Sequence, residues 1–443
     1  MGGKYRKRQE EEFPVICDNI STANGHLLFG GRDTVELAGK YGTPLYLMDE
    51  RRVRRNCRVY KENMDKHFSS ALPLYASKAL SCKRLYEIVA QEGLGTDVVS
   101  PGELYLAKEA GFPMEKVFFH GNAKTDADIA FAMDCGAGFF IIDNMDELRA
   151  VDRLAGERGI RQKALLRLTP GIDPHTFEAV ATGKVDSKFG VPIETGQAMD
   201  FVAAALELAH VDLRGIHAHV GSQVFDSAVF YDTADIMLSF IADLKRELGY
   251  EASMLNLGGG YGVRYTESDP AVDIGQELAA VAAHIREGSR RLGIQEPMIL
   301  MEPGRSIVAD AGMTLYTVQS TKTIPGYRSY AAVDGGMTDN PRYALYRSAY
   351  TIYLANKMGE KADFVCTVGG RCCESGDMIQ ENVALPTPQR GDILAVCTTG
   401  AYNYSMASNY NSIPRPPIVM LDGERDYVAV RRETFADLGA REV

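Results

Sequence analysis

The chain has 443 residues, longer than a single small module, which sets an expectation of two to three domains. Hydrophobic residues make up 45% and charged residues 24%, so extensive disorder is excluded. The 48 basic and 59 acidic residues give a net charge of −11, which argues against nucleic acid as the main partner, because phosphate backbones need a basic footprint. A local basic pocket for a small anion stays compatible with that balance.

No apolar run reaches the ~18 residues of a membrane span. The first ten residues are basic but lack an apolar stretch after them, so they do not read as a secretory signal. Arg6 stands where myristoylation at Gly2 would need Ser or Thr. The eight cysteines form no C-x-x-C pair, and Cys372 and Cys373 are adjacent. This pattern points to a reducing, cytoplasmic setting. P-loop, H-E-x-x-H and G-x-S-x-G motifs are absent, and Gly258-Gly-Gly260 lacks the third Rossmann glycine because position 263 is valine.

In chain order, strand character first appears at His26–Phe29, in a segment expected to join a later β-domain. Apolar strands are then predicted at Leu72–Ser77, Gly95–Val99, Lys116–His120, Gly138–Asp143, Lys163–Thr169, Arg214–Val220, Met254–Gly258 and Met298–Glu302. Amphipathic helical stretches such as Lys83–Glu92, Asp146–Gly159, Gly196–His210 and Asp232–Leu248 separate them. Strands apolar along their whole length fit burial on both faces. Eight such βα units predict an α/β fold, a (β/α)8 barrel. From about Ala311 the pattern turns strand-rich: Leu315–Ser320, Tyr330–Val333, Phe364–Val368, Asp392–Val396 and Pro417–Leu421, with turn signals between. The expected division is an N-terminal segment 1–43 contributing to the β-domain, a barrel 44–308 and a C-terminal antiparallel β-domain 309–443.

Active sites of such barrels form at the C-terminal strand ends. Lys78, Asp97, His120, Asp143, Arg167, His217, His219, the Gly258–Gly260 turn and Glu302–Arg305 all fall there. Lys78 fits either a snorkelling surface lysine or a desolvated amine with a lowered pKa, able to form a Schiff base. Gly258, Gly259 and Gly260 fit a tight turn or a backbone cradle for phosphate. Glu302 and Arg305 fit a structural ion pair, or a carboxylate for a protonated ring nitrogen beside an anion-binding arginine. His217 and His219 alternate along one strand and point the same way, but no third ligand is evident for a metal, so none is expected. Ser222 follows as an anion contact. A Schiff-base lysine, a phosphate cradle, a ring-nitrogen acid and a flat imidazole together fit pyridoxal 5′-phosphate.

The motifs Gly42-Thr-Pro-Leu-Tyr46, Tyr75-Ala-Ser-Lys78, Ser187-Lys-Phe-Gly190, His217-Ala-His-Val-Gly-Ser-Gln223, Leu257-Gly-Gly-Gly-Tyr261, Glu302-Pro-Gly-Arg305, Cys373-Glu-Ser-Gly-Asp377 and Met406-Ala-Ser-Asn-Tyr-Asn411 extend along nearly the whole chain. With them the sequence resembles the diaminopimelate decarboxylase family, fold-type III pyridoxal-phosphate enzymes of the alanine racemase and ornithine decarboxylase group. The resemblance implies decarboxylation of meso-2,6-diaminopimelate to L-lysine and CO2 through an external aldimine of the cofactor. It implies that Lys78 carries pyridoxal 5′-phosphate, His219 stacks on its ring and Glu302 pairs with its nitrogen. Ser222, Gly258, Gly259, Gly260, Gly304, Arg305 and Tyr402 would hold the rest of the cofactor. Arg305, Arg342, Tyr346, Glu374 and Tyr402 match substrate-binding positions, and Cys373 matches the proton donor. The family works as a homodimer in which Cys373 and Glu374 of one subunit complete the other's site.

Two departures stand out. Gly369-Gly-Arg-Cys372-Cys373 replaces the more usual Gly-Pro and an apolar residue, and Tyr350-Thr351 replaces a common Tyr-His pair. The alternative is a related pyridoxal-phosphate decarboxylase of another basic or D-amino acid; a non-catalytic cofactor-binding protein on the same fold would have lost Lys78 or Cys373. Arg305, Arg342 and Tyr346 favour a substrate with a distal carboxylate, because a lone distal cation would call for an acid there. The Gly-, Asp- and Thr-rich stretch Pro170–Gly190 has the length and position to cover the active face.

Overall fold

The computed structural model describes residues 16–172 and 185–443. Most of the loop expected to cover the active face, and the first ten residues, lie outside the described residues.

Three short strands, β1 (Ile20–Ala23), β2 (His26–Phe29) and β3 (Arg32–Asp33), form an antiparallel sheet of their own. The N-terminal segment thus does join the second unit, but by packing rather than by entering its large sheet. Leu27 and Phe29 enter one core with Leu315 and Val419, and Leu27 N–H donates to Ala355 O at 2.8 Å. The next strand, β4 (Leu45–Asp49), corrects the boundary drawn at residue 44. It pairs with strands of the second unit, so the barrel starts with the helix Glu50–His67. Asp49 is the switch: its side chain accepts from Arg52 N–H and caps that helix.

The barrel strands are β5 (Ala71–Ala76), β6 (Gly95–Val98), β7 (Val117–Phe119), β8 (Phe139–Ile142) and β9 (Gln162–Thr169). After the two-residue β10 (Val191–Pro192), which only edges β9, come β11 (Val211–His217), β12 (Met254–Asn256) and β13 (Met298–Met301). All neighbours run parallel, β13 pairs with β5 and β8 with β9, so eight strands close. Leu74, Phe118, Phe139, Ile141, Leu165 and Leu300 fill the lumen, with Phe118 and Phe139 stacked at 4.4 Å. The barrel is a packed core below and leaves only its upper rim for chemistry.

The second unit is built on β14 (Gly312–Ile324), β15 (Arg328–Val333), β16 (Ile352–Leu354), β17 (Phe364–Gly369), β18 (Met378–Leu385), β19 (Ile393–Cys397), β20 (Ile418–Asp422) and β21 (Arg425–Val430). The long β14 serves two neighbourhoods. Its first half pairs with β4 and β19, its second with β15. Most pairings are antiparallel as expected, but β15–β17 and β20–β4 are parallel. No helix among the described residues is long and apolar enough to cross a membrane.

Candidate active site

A parallel barrel delivers every C-terminal strand end to one rim. Lys78 lies in the single turn Ser77–Ala79 directly after β5, and Asp97 is the third residue of β6. His120 follows β7, Arg167 lies in β9, His217 closes β11 and Glu302 follows β13. These side chains, with Arg305 and with Arg342, Tyr346 and Tyr402 from the second unit, line a cavity of about 460 Å³. A smaller recess shares Lys78, Ser222 and Arg305 with it and is also lined by Gly260 and Gly304.

Glu302 is the electrostatic centre. It is buried, and its Oε1 accepts from Asn256 Nδ2 at 2.7 Å and lies 2.8 Å from His120 Nε2. His217 Nε2 stands 3.4 Å away. Burial works to raise the carboxyl, but His120 and His217 outweigh it and hold it well below the usual range. His217 itself is pushed down to about 4, by burial first, with Glu302 opposing only in part. His120, His217 and Glu302 each offer one ligand atom, and these atoms lie within 4.8 Å of one another. The third partner that the sequence did not reveal beside His217 therefore exists, while His219 belongs elsewhere.

His219 is half-buried, and its Nδ1 accepts from Gly259 N–H at 3.2 Å. Burial, then Lys78 and Arg167, lower its pKa well below the ordinary value, so it presents a neutral ring. The glycine turn is both a tight turn and part of the wall. Gly258 has φ +67 and its N–H donates to Asn256 Oδ1 at 2.8 Å, and a Cβ on Gly259 would stand 2.1 Å from Glu302 O. Gly258 and Gly259 lie behind the wall, and Gly260 reaches the recess.

The lysine differs from the sequence expectation. Lys78 is exposed and lines the cavity. Burial acts to lower its pKa, but Tyr402, Asp97 and Glu302 beside it outweigh that and leave it raised. The physical reason is company: desolvation alone ignores the phenol and the two carboxyls beside it. Asp97, in turn, is raised to about 6, chiefly by burial.

Arg305 donates to Tyr265 Oη at 2.7 Å and to Ser222 Oγ at 3.0 Å, and is not paired with Glu302. Tyr402 has φ +61 and its N–H donates to Ala79 O at 2.8 Å, which ties the second unit to the lysine turn. Cys373 and Glu374 do not line this cavity; both are exposed on a loop of the second unit. Asp377 anchors that loop, accepting from Cys372 N–H and Met337 N–H at 2.6 Å each. Gly370 is required there, because a Cβ would meet the Asp377 carboxylate at 2.3 Å. The buried Cys372 thiol is pushed up to about 11 by burial first, then by Asp377.

Asn256 and Tyr265 escaped sequence reasoning. Asn256 carried a signal, a lone amide in an apolar strand two residues before a glycine turn. Tyr265 carried none.

A (β/α)8 barrel with a lysine after its first strand, a glycine turn after its seventh and a carboxylate after its eighth defines a pyridoxal-phosphate barrel. The family model described as "Pyridoxal-dependent decarboxylase, pyridoxal binding domain" matches residues 50–309. The chain is 44% identical to diaminopimelate decarboxylase of Bacillus methanolicus over 92% of its own length and 95% of that protein's. It is 43% identical to the Bacillus subtilis enzyme, covering 94% of each. The solved structure of diaminopimelate decarboxylase from M. jannaschii matches with a TM-score of 0.89 at 33% identity, over 96% of this chain and 98% of that one. The Helicobacter pylori enzyme complexed with L-lysine matches with a TM-score of 0.85 at 30% identity, over 93% and 99%. The chain belongs to the diaminopimelate decarboxylase family.

The residues present fit the cofactor of that family. Among the described residues, Asp97 Oδ1, His217 Nδ1 and Arg342 Nε are buried polar atoms without a hydrogen-bond partner, and all three residues line the cavity. Gly304 keeps the recess open, since a Cβ there would stand 2.9 Å from Ala76 Cβ.

Proposed function

We propose that the chain is a pyridoxal-phosphate-dependent carboxy-lyase that converts meso-2,6-diaminopimelate to L-lysine and CO2. One observation supports this substrate beyond family membership. The cavity has an amine, Lys78, and an anionic carboxylate, Glu302, in the barrel, and two buried arginines, Arg305 and Arg342, in the same wall. A lone distal cation, as in a simple diamine-forming substrate, would meet repulsion there; a distal carboxylate would meet two guanidiniums.

Pyridoxal phosphate, when bound, supplies the electron sink for the bond to the departing carboxylate. Lys78 is the amine that holds it covalently. Glu302 keeps a proton on the ring nitrogen, and His219 offers a flat neutral ring for stacking. Ser222, Gly260, Gly304 and Arg305 hold the phosphate, Gly258 and Gly259 shape its cradle, and Tyr402 closes that side. Arg305, Arg342 and Tyr346 grip the far end of the substrate, which fixes the scissile bond relative to the ring. Glu374 takes the distal amine, and Cys373 Sγ delivers the proton that replaces CO2.

Cys373 and Glu374 are exposed and outside their own cavity, which supports a homodimer in which they serve the partner's site. A barrel unit near 50–308, with the flanking segments as the second unit, is the division we adopt. Eight free cysteines support a cytoplasmic setting.

The test is to saturate the protein with pyridoxal phosphate, add meso-diaminopimelate, and measure lysine and CO2 together. Equal release of both is expected. Release from lysine, ornithine or a D-amino acid instead would overturn the substrate assignment and favour the related decarboxylase reading.

A further inference from the structure

Arg305 and Arg342 are 6% and 7% exposed, and among the described residues neither has a carboxylate within ion-pair distance. Like charges in one cavity wall repel, and here something other than an acid holds them. Tyrosine rings do so. Tyr402 faces Arg305 at 4.7 Å and Arg342 at 5.6 Å, and Tyr346 faces Arg342 at 5.6 Å. Tyr265 faces both, at 5.9 and 6.0 Å. The electron-rich ring faces attract the cations without cancelling their charge.

Tyr265 differs from the other two rings. It does not line the cavity, and it combines its ring contact with a hydrogen bond, its Oη accepting from Arg305 NH1 at 2.7 Å. Its own backbone is fixed. Thr351 N–H and Oγ1 donate to Tyr265 O at 3.1 and 2.9 Å, and Tyr265 N–H donates to Asp269 Oδ2 at 2.9 Å. Tyr350, next to Thr351, packs edge-on against the Tyr265 ring at 5.3 Å. The second unit therefore reaches through Thr351 to hold a tyrosine that holds an arginine.

We propose that Tyr265, latched by Thr351, is a positioning residue that aims Arg305 into the cavity and thereby sets the preference for a ligand with a distal carboxylate. The proposal rests on the substrate reading given above. Without the phenol oxygen, the Arg305 guanidinium loses an acceptor, and among the described residues no carboxylate lies within ion-pair distance to replace it.

The test uses the holoenzyme and Tyr265→Phe. Dissociation constants are measured for L-lysine, which keeps a carboxylate, and for cadaverine, which has none, from their effect on the cofactor's absorbance. The KM and kcat for meso-diaminopimelate are measured beside them. Loss of one hydrogen bond to a charged group predicts lysine binding and KM weakened about tenfold, with cadaverine binding unchanged and kcat within about twofold. A merely structural role would loosen both ligands alike and lower kcat, and that result, or unchanged constants, would overturn the assignment. If Tyr265→Phe does not fold, Thr351→Val removes only the hydroxyl bond and should weaken lysine alone by about threefold; equal effects on both ligands, or none, overturn the proposal there too. If the parent enzyme binds lysine but does not act on meso-diaminopimelate, the substrate reading fails while the two binding constants still decide the role of Tyr265.

Discussion

Replacing Asp339 by asparagine should stabilise the protein, and more so as pH rises. Asp339 is 1% exposed, and its carboxylate accepts from Tyr316 Oη at 2.5 Å and from Gly336 N–H and Thr338 Oγ1 at 3.1 Å. Those bonds do not offset burial, and the nearby Asp377 adds repulsion, so the carboxyl is raised from 3.8 to about 7. A group raised on folding stabilises fully below its unfolded value and loses that contribution as pH climbs through its folded value. At ~1.4 kcal/mol per pH unit, ionising this site costs about 4 kcal/mol by pH 8. Asparagine is nearly the same shape. Its oxygen can accept from Gly336 and Thr338, and its amide can donate to the Tyr316 oxygen. Guanidinium unfolding of parent and Asp339→Asn should show an advantage for the variant that grows by about 2 kcal/mol between about pH 5.5 and pH 8. Parallel stability curves over that range would refute the argument. The segment also carries Arg342, so unchanged lysine binding in the variant checks that the fold there is kept.

Other outcomes follow from close contacts. Lys124 and Glu147 form an ion pair at 2.6 Å with side chains 2% and 3% exposed, beside the loop that brings Asn122 to the cavity. Lys124→Met should cost about 3–5 kcal/mol, and adding Glu147→Leu should recover most of it, because the stranded charge is what hurts; a denaturation-based double-mutant cycle with no coupling would count against this. Gly304→Ala places a Cβ 2.9 Å from Ala76 Cβ and 3.0 Å from Ala76 O. It should weaken pyridoxal phosphate binding by about tenfold, read by fluorescence titration, while circular dichroism stays native. Lys78→Ala and Cys373→Ala should each be inactive alone and regain about a quarter of parental activity when dissociated and remixed, as random pairing of shared sites requires; no recovery on verified reassociation would argue that each chain uses its own cysteine.

Much of this protein was legible along the chain because its local rules agree. The eight apolar strands and the helices between them could be placed to within a few residues, since strands buried on both faces leave an unbroken apolar signal. The rim residues followed from that alone, because a parallel barrel puts every strand end on one side. The two histidines of His217-Ala-His219 show the limit. Their spacing predicted a shared direction on one strand, yet that strand ends at His217, and one ring turns to Glu302 and the other to the glycine turn.

The sequence by itself determined the barrel, the order of its polar strand ends and the motifs that carry the family likeness, since these depend on short-range periodicity and residue type. Only the tertiary structure decided how those groups act on one another. Lys78 is raised rather than lowered because Tyr402, Asp97 and Glu302 arrive from other parts of the chain. Arg305 faces Tyr265 and not Glu302, although the latter is only three residues away. Strand β4 leaves the barrel for the second sheet, since its partners β14 and β20 lie more than 250 residues further on. Charge, burial and pairing are set by what folding brings close, and neighbours distant in sequence leave no mark on the local pattern.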